Sequence, residues 1–145
     1  MAGNASPIFA RVGKIGIGLI EGTTIGANTG SNLSTNAALI FTADGTNGSI
    51  VNEVRVKYGP GTSTAATVFR VWVNNASDNS VLTNNALIAE ITIPVITTSN
   101  VAATVDFVVP MPRGGFVLPP GYKMYATIGT WTTGSFQIVA IGGDY

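Results

Sequence analysis

The chain has 145 residues, 7 basic and 7 acidic side chains, no histidine and no cysteine. That length is enough for one self-sufficient core. The missing residue types exclude a Ser-His-Asp triad, a thiol nucleophile, a disulfide framework and His- or Cys-based zinc sites. The balanced charge leaves no basic footprint for nucleic acid. No apolar run is long enough for a membrane span, and residues 1–7 lack the charged and apolar regions of a signal peptide. Gly, Thr, Asn and Ser number 18, 18, 12 and 9, so the polar surface is built from hydroxyls and amides. Such a surface is insensitive to salt and opposes self-association only weakly.

Period two dominates the chain from end to end. Residues 1–7 read as an N-terminal arm. A first strand lies within Ile8 to Glu21, where Gly13, Gly16 and Gly18 predict weak pairing, a bulge or close backbone approach. Residues 23–35, rich in Gly, Thr, Asn and Ser, read as a long surface loop. A second strand spans Asn36 to Ala43. The tight-turn sequence Asp44-Gly45-Thr46-Asn47-Gly48 follows it. In Ile50 to Tyr58, Val54, Val56 and Tyr58 share one face, and Glu53, Arg55 and Lys57 share the other.

The next strand, Thr67 to Asn74, places Phe69, Val71 and Val73 together and Val68, Arg70 and Trp72 opposite. Ala86 to Ile93 groups Leu87, Ala89, Ile91 and Ile93. Thr104 to Val109 groups Val105, Phe107 and Val109. Pro94, Pro110, Pro112 and the run Leu118-Pro119-Pro120-Gly121 end strands or force turns. Tyr122 to Gly129 groups Tyr122, Met124, Ala126 and Ile128, and Ser135 to Ile141 groups Phe136, Ile138 and Ala140. No segment carries a capped 3.6-residue apolar stripe. Seven to eight short strands with such turns predict an all-β fold, an antiparallel β-sandwich of jelly-roll type, over residues 1–145 as one domain. A closed barrel would give nearly the same alternation.

The ending Leu118-Pro119-Pro120-Gly121-Tyr122-Lys123-Met124-Tyr125-Ala126, with Phe136-Gln137-Ile138-Val139-Ala140-Ile141-Gly142-Gly143-Asp144-Tyr145, resembles a family of small tailed-phage virion structural proteins. Their endings often read LPAGY and then GGDY. The similarity extends upstream through residues 41–50, 54–57 and 90–94, and Pro120 replaces the usual small residue. The resemblance implies a virion component on the capsid exterior: a decoration (cement) protein, commonly a homotrimer, whose partner is the major capsid protein. It carries no catalytic assignment, cofactor or metal. A tail- or fibre-associated module that binds host glycans is the alternative.

Other constellations have plainer readings. Glu21, Asp44, Glu53, Asp78, Glu90 and Asp106 would have to face one another in pairs for glycosidase chemistry, and a solvated charged face accounts for Glu53 beside Arg55 and Lys57. The segments at residues 44–48 and 78–79 offer oxygen ligands but lack EF-hand spacing. Gly13-Lys14-Ile15-Gly16-Ile17-Gly18 lacks the ending of a phosphate loop. Sequons at Asn4, Asn32, Asn47 and Asn75 fit chance in an Asn- and Ser-rich chain. Trp72, Tyr125 and Trp131, with Ile8 and Phe9 near the arm, are the candidate interface residues. Trp72 and Tyr125 point away from the core face of their strands, which suits either an interface or a covering loop.

Overall fold

The computed structural model describes residues 12–21, 27–59, 64–130 and 134–145. Among the described residues nine strands follow in chain order: β1 Val12–Glu21, β2 Ala38–Thr42, β3 Ser49–Tyr58, β4 Thr67–Asn74, β5 Asn85–Ile93, β6 Asp106–Val109, β7 Phe116–Leu118, β8 Lys123–Ile128 and β9 Ser135–Asp144. Among the described residues the only helical turn is the 3₁₀ segment Leu82–Asn84.

Two sheets share the strands. One runs β1-β9-β3-β6, with β7 also on β3, and the other runs β2-β8-β4-β5. Every pairing is antiparallel. The first half of the chain pairs with the second half in reverse order: β1 with β9, β2 with β8, β3 with β6 and β7, β4 with β5. A long hairpin with its tip at residues 75–84 has been rolled up so that it alternates between two sheets. This is the jelly-roll topology. The sandwich thus has the expected class, with one strand more than the alternation predicts. β6 and β7 are two short pieces lying along β3, separated by the stretch that holds Pro110 and Pro112.

The core lies between the sheets and follows the alternation. Val54, Val56 and Tyr58 from β3 meet Phe69 and Val71 from β4, Met124, Ala126 and Ile128 from β8, and Phe136, Ile138 and Ala140 from β9. Tyr58 and Phe136 pack edge to face, with ring centroids 5.1 Å apart. Burial of such side chains contributes about 1.5–3 kcal/mol each.

Three departures from strict alternation come from β-bulges. In β3 the register against β9 slips between Val51 and Glu53, so Val51 and Val54 are both buried although three residues apart. In β2 the slip between Leu39 and Phe41 lets Ile40 and Phe41 both enter the core. In β5 the slip falls at Ile88. Leu87 is therefore exposed rather than sharing the face of Ile93, while Ile88 packs on the core. β6 begins at Asp106, so Val105 stays outside it and is exposed.

The C-terminal ending, Gly142 to Tyr145, has structural duties. A Cβ on Gly142 would overlap the carbonyl of Ile50, at the bulged stretch of β3. Asp144 accepts from Lys14 Nζ at 3.1 Å and from the Ser49 hydroxyl, tying β9 to β1 and β3. Lys14 also lies 5.3 Å from the centroid of the Phe41 ring.

Candidate interaction surfaces

Trp72 and Tyr125 are directly opposed in the β4–β8 register, on the outer face of their sheet. Both are covered. Leu33 closes over them, with Ala37 beside it, and leaves Trp72 6% and Tyr125 8% exposed. The Trp72 indole N–H donates to Thr127 Oγ1 at 2.9 Å.

The covering segment, residues 27–37, is held by amides rather than ion pairs. Asn28 Nδ2 donates to the carbonyls of Asn32 and Thr35 at 2.8 and 2.9 Å. Leu33 N–H donates to Asn79 O at 2.9 Å, and Asn79 Nδ2 donates back to Leu33 O at 3.0 Å. Asn85 Nδ2 reaches Ser31 O at 2.7 Å. The asparagine-rich composition thus has a use: side-chain amides supply the backbone partners that an irregular segment lacks. Trp72 and Tyr125 anchor this loop. Trp131, Ile8 and Phe9 lie outside the described residues.

The carboxylates are dispersed. Glu53 pairs with Arg55, Asp106 with Lys57 at 3.2 Å, and Glu90 with Arg70 at 2.7 Å. The hydrogen bond with Glu53 raises the Arg55 pKa. Asp44 Oδ1 accepts from the amides of Thr46 and Asn47 at 2.9 and 2.7 Å. The Asn47 and Thr46 amides hold its pKa below the ordinary carboxylate value, and the charge of Lys14 acts in the same direction. Asp78 is lowered by the backbone amide and then the hydroxyl of Ser80. These are turn-stabilising roles. Among the described residues no group of three or more acidic side chains could hold a metal ion.

The outer face of the β1–β9 edge is different in kind. Ile15, Ile17 and Leu19 project outward at 65%, 77% and 45% exposure, and Ile141 at 38%. The register places Ile15 beside Ile141 and Ile17 beside Val139, making one continuous aliphatic patch. The inward positions of β1 are Gly16, Gly18 and Ile20, and the two glycines let β1 settle onto Ile40 of β2. Of the weak pairing, bulge or close backbone approach expected from Gly13, Gly16 and Gly18, the close approach is found at Gly16 and Gly18, β1 pairs with β9 without a slip, and the outward aliphatic row was not foreseen. The signal was present: in Ile15-Gly16-Ile17-Gly18-Leu19 every bulky residue falls on one parity and every glycine on the other. The crowded side is the glycine side, so the bulky side faces out.

An open cleft of about 300 Å³ lies at the end of the other sheet, lined by Thr29, Thr67, Arg70, Thr92 and Thr130 among others. Comparison with family models, with curated proteins and with solved structures finds no match.

Proposed function

We propose that the chain is a non-enzymatic structural protein of a phage virion: a capsid decoration (cement) protein that binds the outside of the shell as a homotrimer and stabilises adjacent capsomers. The observation that carries this reading is the uncovered aliphatic patch of β1 and β9 on an otherwise well-packed jelly roll. A contiguous apolar patch of several hundred Å² is often functional. The family-like ending supplies the setting. Its Gly142 and Asp144 hold β9 against β3 and β1, so the motif supports the scaffold that presents the patch. A surface of amides and hydroxyls leaves little charge repulsion between copies packed on a lattice.

The test is co-sedimentation of the purified chain with isolated shells. Stoichiometric binding at many copies per shell, with higher resistance of the shell to heat or chelator, is the expected result. A chain that stays in the supernatant overturns the reading. The second reading, a tail- or fibre-associated glycan-binding module, draws on the threonine-lined cleft beside Arg70, whose hydroxyls and guanidinium suit a sugar. A few copies located at the tail, with saturable binding of host glycans, would favour it.

A further inference from the structure

We infer that the outward row Ile15, Ile17 and Leu19, with Val139 and Ile141 beside it, is the surface through which copies of this chain associate. The inference rests on the self-associating part of the reading above and not on capsid binding.

The two sheets have four edge strands, β1, β6 with β7, β2 and β5. Edge strands invite pairing and are normally guarded by shortness, bulges, proline or charge. β2 has five residues and a bulge. β5 carries the bulge at Ile88. β6 and β7 have four and three residues, with prolines between them. β1 has ten residues and pairs with β9 without a register slip. It contains no proline. Its charges, Lys14 and Glu21, sit toward its two ends, and Lys14 is occupied by Asp144. Among the described residues, the edge strand without these guards is also the one with the aliphatic face.

The exposed aliphatic surface of the patch is on the order of 500 Å², while a stable interface buries about 800 Å² per partner. The adjoining lane supplies the remainder. Glu53 lies beside Ile141 and Arg55 beside Val139 on β3, and Lys57 and Asp106 complete the group. These are two acids and two bases, already paired as Arg55–Glu53 and Lys57–Asp106. An apolar centre with a neutral polar rim is interface anatomy, and a rim of zero net charge does not repel its own copy. Ile17 is central, with Ile15 and Leu19 each two positions away. A three-fold axis passing beside Ile17 therefore gathers the same central residue from each copy, with the flanking residues of neighbouring copies meeting around it.

The experiment is sedimentation velocity on the full chain across a concentration series, without shells. Wild type, Ile17→Lys, Leu19→Lys and a control, Leu82→Lys, are compared. Leu82 is exposed on the 3₁₀ turn at the hairpin tip, outside the patch. Each variant is first checked for an unchanged circular dichroism spectrum and unfolding midpoint. Both patch positions are solvent-facing in the single chain, so folding is retained. The expected result is a wild-type oligomer that both patch variants weaken at least tenfold toward the 14.9 kDa monomer, with the control unmoved. An oligomer indifferent to Ile17→Lys and Leu19→Lys overturns the assigned face while leaving self-association intact. A wild-type monomer at every concentration overturns the face and the homotrimer together. A monomer that, in the separate co-sedimentation with shells, loses binding on Ile17→Lys assigns the patch to the capsid and likewise overturns the inference.

Discussion

Gly16 packs its bare Cα against the backbone carbonyl of Ile40, so that a Cβ at this position would fall inside the van der Waals shell of the oxygen. The contact joins an edge strand of one sheet to an edge strand of the other and closes that side of the sandwich. Backbone cannot swing aside as a side chain can, so even one methyl must push the strands apart. Gly13, on the same strand, has no heavy atom within 4 Å of its notional Cβ. Gly16→Ala is expected to destabilise the fold by about 1–3 kcal/mol, the usual range for overpacking. Gly13→Ala should remain within about 0.5 kcal/mol of wild type. Urea denaturation of the two variants checks this. Equal midpoints would mean that the β1–β2 closure carries no stability.

The loop over Trp72 and Tyr125 makes a second prediction. Leu33 is its single fully buried aliphatic anchor, and Leu33→Ala should cost about 2–5 kcal/mol if the segment cannot collapse onto the space. Thr127→Val keeps the shape but leaves the buried Trp72 indole N–H without its acceptor, at a cost of about 1–3 kcal/mol. Unfolding midpoints measure both. Tryptophan emission separates them: Leu33→Ala should shift it to the red by wetting Trp72, whereas Thr127→Val should not.

Much of this architecture was legible because a half-buried strand writes its two faces on alternate residues. Val54, Val56 and Tyr58 against Glu53, Arg55 and Lys57 is such a case, as is Phe136, Ile138 and Ala140 on β9. The bulges were not legible. A one-residue slip at Ile40, Asn52 or Ile88 reverses parity, and only the partner strand reveals where it falls. β7 escaped because Phe116-Val117-Leu118 is too short to show a period, and its pairing depends on β3. Trp72 and Tyr125 were placed on the outer faces of their strands by alternation, as found. Their cover comes from a segment about 40 and 90 positions away, and such nonlocal contacts leave no local mark. The β1 patch could have been read from the parity of its glycines.

Acid should weaken the turns at Asp44 and Asp78. Both carboxylates have pKa values below the ordinary 3.8 in the folded chain. Between the folded and unfolded values the unfolded chain binds more protons, so stability rises with pH there. Their contribution is complete above about pH 4 and is lost as pH falls through the lowered folded values. Asp44→Asn and Asp78→Asn should flatten the stability profile below about pH 4 and lower its neutral plateau. Denaturation midpoints across pH 2–7 test the sign. A slope unchanged in the double variant would place the acid sensitivity elsewhere.

Arg70 offers a case in which breaking a pair should be worse than deleting it. Its Nε donates to Glu90 at 2.7 Å, while its Nη1 is buried against Gly129 and finds no hydrogen-bond partner. The Arg70 side chain is only 18% exposed. Glu90→Ala removes the one counter-charge and leaves a largely buried guanidinium less satisfied than before, which should cost about 1–2 kcal/mol. Arg70→Met removes both the pair and the orphaned donor and keeps the aliphatic packing, so it should stay within about 1 kcal/mol of wild type. The exposed glutamate then returns to water at no penalty. Urea titrations of the two single variants and the double variant decide the order. A larger loss from Arg70→Met than from Glu90→Ala would show that the guanidinium is a net stabiliser of the β4–β5 edge.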